Sequence, residues 1–244
     1  MSVEFAEVRD VAGIARVAAY FSEVWNTTES VLSSETLHCI RHAGGAVIGG
    51  FEHDRLVGAT VAVFGPPADR SVYSMIAAAQ PGVGLPLKLA QRDWALAAGA
   101  TTMRWTYDPL VSRNARFNLV KLGAVVTEYT VDFYGPMNDG VNDGDESDRL
   151  TVSWDLTAKP RPEPLGGPTG QTLRVAPDGG PLEVTDGETI WCRVPSDVVT
   201  LRGEDREAAL AWRKAVRDVL TEAFAEGYVA TSMSRASWYR LERK

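Results

Sequence analysis

Apolar positions along this chain recur with two different periods, and the switches between them lay out alternating strands and helices. Val3 to Val8 alternates and reads as a first strand. Asp10 stands where a helix N-cap is needed, ahead of Ile14, Val17, Ala18 and Phe21 on one helical face. Ser34 starts a second helix through Leu37 and Ile40, closed by Gly44 and Gly45. Ala46 to Glu52 and Leu56 to Phe64 read as a hairpin turning at His53 and Asp54. Ser71 to Ala77 is a further strand, and Leu85, Leu89, Trp94 and Leu96 mark a long helix ending at Gly99. Thr102 to Tyr107 is the next strand. The helix around Asn114 runs to about Gly123, and Ala124 to Tyr134 is a long alternating strand broken by Gly135 and Pro136.

The remainder is less regular. Leu150 to Leu156 resumes as a strand, and Lys159 to Gly180, rich in Pro and Gly, reads as a connector or irregular crossing. Thr189 to Val194 is a short strand. Gly203 to Gly227 is a charged amphipathic helix carrying Leu210, Trp212, Val216, Val219, Leu220 and Phe224. Tyr228 to Met233 and Ser237 to Leu241 are the last strand candidates. A centre of strand-helix-strand-helix-strand predicts an α/β fold with a mixed sheet. The expected organisation is a main domain over residues 1–158, a connector over 159–184, and a small α+β extension over 185–244 packed on the first domain.

Composition narrows the classes. With 244 residues, 45% of them hydrophobic, the chain can bury a sizeable core. A formal charge of -7 argues against a general nucleic-acid surface. The two cysteines, Cys39 and Cys192, make neither a disulfide framework nor a cysteine-rich zinc site, and read as buried small hydrophobes in a reducing compartment. The first residues show no basic segment followed by an apolar run, and no stretch approaches a membrane span. The expected location is cytoplasmic.

Local chemistry is sparse. Gly82-Val83-Gly84 follows a strand and opens a helix, a place where backbone N–H groups and the helix dipole favour phosphate. It is neither a P-loop nor a full GxGxxG fingerprint. Pro86 is tolerated in the first helical turn, where its missing N–H would be unpaired anyway. His38 and His42 share a helical face, but without HExxH they read as structural or solvent-facing, and no metal is expected. His53 reads as exposed. The acidic run Asp139, Asp143, Asp145, Glu146 and Asp148 lacks EF-hand spacing and reads as a solvated loop, or as a lid that discourages acidic acceptors.

Ser71 to Gly135 resembles the GNAT N-acyltransferase superfamily, and within it a bacterial branch that includes amino-acid N-succinyltransferases. The shared stretch is VGLPLKLAQRDWALAAGATTMRWTYDPLVSRNARFNLVKLGA, with DFYGPMNDG and SDRLTVSWDL after it. The resemblance implies a mixed, mostly antiparallel central sheet flanked by helices, and acetyl-CoA or another acyl-CoA as cosubstrate. It implies that backbone around Ser74, Met75 and Ile76 orients the thioester, and that Pro81, Gly82, Val83, Gly84 and Leu85 cradle the pyrophosphate. Asn114, Phe117, Asn118 and Lys121 would face the far arm of the cofactor, with Arg113 or Arg116 meeting phosphate or an acyl carboxylate. Arg193 and Arg202 are weaker anion candidates.

Two departures stand out. Gln80 replaces the first glycine of the superfamily loop, and Leu119 occupies the place of the usual general-acid tyrosine. Candidate bases are Glu23, Asp108 and Glu128; candidate proton donors are Tyr107, Tyr129 and Tyr134. Asp108 also suits a structural role in the turn before Pro109. The expected reaction is acyl transfer to a small amine or amino acid. The competing readings are a non-catalytic acyl-CoA or small-ligand binder on the same fold, and a scaffold whose last long helix permits a homodimer.

Overall fold

The computed structural model describes residues 3–27, 31–135, 146–159 and 167–243. They form two compact units, one of residues 3–27, 31–105 and 155–157, the other holding the remaining described residues. Among the described residues no helix is long and apolar enough to cross a membrane.

The first unit begins with β1 (Glu4–Glu7), α1 (Val11–Val24) and α2 (Ser34–His42). The hairpin β2 (Ala46–Glu52) and β3 (Arg55–Phe64) follows, then a short 3-10 turn and β4 (Ser71–Ala79). The helix α3 (Gly84–Ala97) leads into β5 (Thr102–Tyr107). Strand order is β1-β2-β3-β4-β5. The first three pairings are antiparallel and β4 with β5 is parallel, so the sheet is mixed, as expected.

Local rules explain these elements. Asp10 caps α1 by accepting from the Gly13 N–H at 2.8 Å, and Ser33 caps α2 through Thr36. Alternate strand residues face opposite sides. Val47, Ala59, Val61 and Ala78 therefore pack with Ile14, Val17, Phe21 and Leu37 of α1 and α2. Ala46 and Ile48 turn the other way, onto Leu87 of α3. Helices thus cover both faces, and each fully buried Leu, Ile or Phe contributes roughly 1.5–3 kcal/mol.

The second unit holds α4 (Ser112–Arg116), a π-helical turn (Phe117–Lys121), β6 (Val125–Thr130) and β7 (Arg149–Asp155). Then come β8 (Gln171–Val175), β9 (Pro181–Asp186), β10 (Thr189–Arg193), α5 (Val198–Glu204), α6 (Arg206–Ala225), β11 (Tyr228–Met233) and β12 (Trp238–Arg243). Strand order is β7-β6-β11-β12-β10-β9-β8, with antiparallel neighbours throughout.

Several expected boundaries move. The long strand to Tyr134 stops at Thr130, because the chain turns at Asp132 (φ 46°). Asp148 accepts from the Asp132 N–H and Ser147 from the Tyr134 N–H, so side chains replace the strand ladder. The helix expected to run to Gly123 is α-helical only to Arg116, then widens into the π turn. The helix expected from Gly203 is two, because Asp205 leaves helical geometry to cap α6 at Ala208. Part of the expected connector is the β8–β9 hairpin, whose outer strand is largely exposed and so lacks apolar alternation. Residues 139–145 of the acidic run lie outside the described residues.

The cysteines differ from each other. Cys192 is fully buried in β10, whereas Cys39, expected to be buried, is exposed on α2. Burial pushes the Cys192 thiol pKa up. A thiol reagent is therefore expected to titrate one cysteine in the native protein and two after unfolding; two rapid native equivalents would contradict this packing. His38 and His42 find no further ligands: no group of three metal-ligating side chains occurs among the described residues.

Candidate acyl-CoA site

In the first unit β4 and β5 run side by side only briefly. Their pairing extends from Ser71↔Thr102 to Tyr73↔Arg104 and stops there, while β4 continues to Ala79 along β3. The β3–β4 register shifts between Val61↔Ile76 and Ala62↔Ser74, so Met75 is an extra residue, a β-bulge. A wedge thus opens where β4 is bent, and backbone groups on its β5 side are released from the sheet. Ser74 is buried, Ile76 half-buried and Met75 38% exposed.

The end of β4 feeds α3. Val83 N–H bonds the Gln80 carbonyl, closing a turn in which Gly82 has φ +85°, a conformation suited to glycine. Val83, the residue before α3, makes no side-chain cap, and no acidic residue lies in the first turn. The positive end of a 14-residue helix is thus left without a carboxylate or a capping side chain. Pro81 and Gly82 are exposed; Val83, Gly84 and Leu85 are half-buried. At Gly84 an added Cβ would meet only the Ala79 Cβ, at 4.0 Å, so Gly82 carries the conformational demand of this loop.

Beneath the wedge lies a buried polar chain that sequence reasoning missed. Lys88 Nζ donates to Ser74 Oγ and to Gln91 Oε1, each at 2.8 Å. Gln91 Nε2 donates to Thr60 Oγ1 at 2.7 Å, and that hydroxyl donates to the Ile76 carbonyl at 2.9 Å. The ammonium also sits 4.1 Å from the centre of the Trp105 ring. The available signal was a lysine and a glutamine three residues apart on the same face as Leu87 and Ala95.

The acid and base candidates scatter. Glu23 is exposed on α1, where it lines an open cleft of about 660 Å³ with Arg16, Tyr20, Glu52 and Asp54. Glu128 is exposed on β6. Asp108 is buried and accepts from Arg202 at 2.5 Å, Arg213 at 3.1 Å and the Leu110 N–H at 2.9 Å. Burial raises its carboxyl pKa, but the two guanidiniums outweigh that and hold it below the ordinary value. A carboxylate so held is a poor base, and Arg202 is committed to it rather than to a ligand anion.

The tyrosines separate clearly. Tyr107 is buried against Tyr239, whose hydroxyl donates to the Pro109 carbonyl at 2.8 Å. Tyr129 donates to Asp148, a carboxylate also held by Arg217. Burial and Asp148 push the Tyr129 phenol upward. Tyr134 is 50% exposed, with its hydroxyl 3.3 Å from Thr106 Oγ1 and Arg149 over its ring. Arg113, Asn114 and Lys121 are exposed, Arg116 and Phe117 half-buried, and Asn118 buried; Leu119 is fully buried. Arg193 pairs with Asp178.

Solved structures with a similar fold include several acetyltransferases. A putative acetyltransferase, yncA, from Salmonella typhimurium, solved with acetyl-CoA, matches 68% of this chain and 100% of its own. The TM-score is 0.52 at 17% identity. The chain has the GNAT acetyltransferase fold. A GNAT phosphinothricin acetyltransferase from Sinorhizobium meliloti, in complex with acetyl-CoA, matches 66% of this chain and 94% of its own, at 14% identity and a TM-score of 0.53. An N-acetyltransferase from Staphylococcus aureus Mu50 matches 64% and 100%, at 12% identity and the same score. No family model matches the chain, and no curated protein matches it in sequence. The Salmonella typhimurium and Staphylococcus aureus matches span the whole of each of those chains but only about two thirds of this one.

Proposed function

We propose that this chain is an acyl-CoA-dependent N-acyltransferase acting on a small amine or amino acid. The observation that carries the reading is the bulged, parted edge of β4 running into an uncapped α3 terminus, in a fold whose solved representatives include acetyl-CoA complexes. Released backbone of Ser74 to Ile76 would hydrogen-bond the pantetheine arm and hold the thioester. Pro81 to Leu85 would receive the pyrophosphate, with Gly82 setting the turn. Arg113, Asn114, Phe117, Asn118 and Lys121 are assigned the far arm on the resemblance alone. The acyl group is acetyl, succinyl or similarly short.

The chemistry is direct transfer. The neutral amine attacks the thioester carbon, charge gathers on the carbonyl oxygen, the nitrogen gives up one proton to solvent, and the C–S bond breaks to leave an amide and a thiolate. Joint binding supplies orientation, and backbone N–H groups stabilise the developing oxyanion. A protonated amine must first lose its proton; Glu23 and Glu128 are the exposed carboxylates among the candidates, whereas Asp108 is held by its arginines. Tyr134 is assigned as the donor to the thiolate.

Leu119 favours a second reading, a non-catalytic acyl-CoA binder, because the usual acid is replaced by a buried aliphatic side chain. Incubation with a panel of acyl-CoAs and amines separates the two. Amine-dependent release of free coenzyme A supports the enzyme, and affinity without turnover supports the binder.

Gly84→Asp tests the phosphate cradle. The substitution fits the available space and places a carboxylate where the dipole favours it, so thermal stability should hold or rise slightly. Repulsion of a nearby phosphate is worth about 1.4 kcal/mol in a partly exposed site, which corresponds to about tenfold weaker acyl-CoA binding. Unchanged affinity by calorimetry would remove the pyrophosphate from this turn.

A further inference from the structure

The buried chain under β4 has a consequence for the site. We infer that Lys88 is a positioning residue: with Gln91 and Thr60 it latches the bulged edge of β4 in its open position, and so sets where a thioester would lie. The role in catalysis rests on the acyltransferase reading; the latch itself does not.

Geometry carries the argument. The last paired residues of the two strands are Tyr73 and Arg104. The next residue on β4, Ser74, receives Lys88 Nζ on its hydroxyl, and the next residue on β5, Trp105, offers its ring to the same ammonium. Lys88 therefore fills the point at which the strands separate. The second arm runs from Lys88 through Gln91 and Thr60 to the Ile76 carbonyl. The two arms grip β4 on either side of the extra residue, Met75. A bulge left unsupported can anneal to a regular ladder or shift its extra residue; tying Ser74 and Ile76 to α3 and β3 opposes both.

An apolar side chain would occupy this place more cheaply. Lys88 is only 5% exposed, and burial pushes its amine down to about 7. A buried lysine persists where its contacts offset desolvation, and here two hydrogen bonds and a cation–π contact do so. No carboxylate contributes to the shift, so the amine is not one half of an ordinary buried ion pair.

The experiment compares wild type, Lys88→Met and Thr60→Val in the full chain. Amide exchange is read without ligand, and steady-state kinetics with acetyl-CoA or succinyl-CoA. Lys88→Met keeps the length and removes the donors; Thr60→Val cuts only the second arm and guards against a lysine variant that fails to fold. Both should quicken exchange about tenfold at residues 74–79, leaving α1 and α2 unchanged. Both should raise KM for the acyl-CoA about tenfold with little effect on KM for the amine, a split that a mere loss of folded protein does not produce. Unchanged exchange at β4, or acceleration spread evenly over the unit, overturns the latch. Local acceleration with an unchanged acyl-CoA KM overturns its positioning role. Wild type without acyl-CoA affinity, together with local acceleration in the variants, leaves the latch standing and removes the acyltransferase reading.

Discussion

Asp108→Asn is expected to destabilise the second unit by about 3 kcal/mol, the lower end of the range for breaking a buried ion pair. The carboxylate accepts from Arg202 and Arg213, and the Arg213 side chain is only 1% exposed. Removing the negative charge leaves two guanidiniums, one of them almost fully buried, facing a neutral amide. Asp148 softens the loss, because its Oδ2 lies 4.0 Å from Arg213. The same cluster reaches Arg217, which holds both Asp148 and Glu146, so α6 is tied through charge to the segment before β7.

The pH dependence has a definite sign. The folded carboxyl of Asp108 titrates below its ordinary 3.8, so its stabilisation is fully present above that value and disappears as pH falls through the folded pKa. Denaturant unfolding of wild type and variant should therefore show a constant gap from about pH 5 to 8, closing under acid. A gap under 1 kcal/mol at neutral pH would mean that this cluster is stabilising in appearance only.

This cluster also shows where sequence reading ends. Periodicity and caps were enough for β2, β5 and α1, because the determinants of each lie within a few residues: Asp10 caps Gly13, and the alternation in Ala46–Ile48 names both faces of the sheet. The mixed sheet was equally legible from element order, and its flanking helices from the resemblance. Partners far apart in the chain were not. Nothing local to Asp132 announces that Ser147 and Asp148 will bend it out of β6, and the charged face of α6 gives no sign that Arg213 turns inward. The meaning of Lys88 and Gln91 depends on Ser74 and Thr60, on two other elements. The glycine turn does lie between a strand and a helix, and its positive φ is at Gly82.

The largest kinetic effect is expected from Tyr134→Phe: kcat should fall about a hundredfold while KM for both substrates stays within a factor of two or three. The choice of Tyr134 comes from the hydrogen-bond partners of its rivals. Tyr107 and Tyr239 form a closed pair that ends on the Pro109 carbonyl, and burial raises both phenols. Tyr129 already gives its proton to Asp148. Tyr134 alone of the three candidates is half-exposed, and its contact with Thr106 Oγ1 leaves the direction of the hydroxyl open, since either atom can donate. Removing an oxygen at such a place should alter stability by less than 0.5 kcal/mol, as for other surface substitutions. Tyr129→Phe is the matched control. It strips a buried carboxylate of one donor and should cost about 1–3 kcal/mol in stability, with kcat per folded molecule unchanged. If Tyr134→Phe turns over at the wild-type rate, the thiolate takes its proton from water, and the buried Leu119 marks a site that has dispensed with a tyrosine acid.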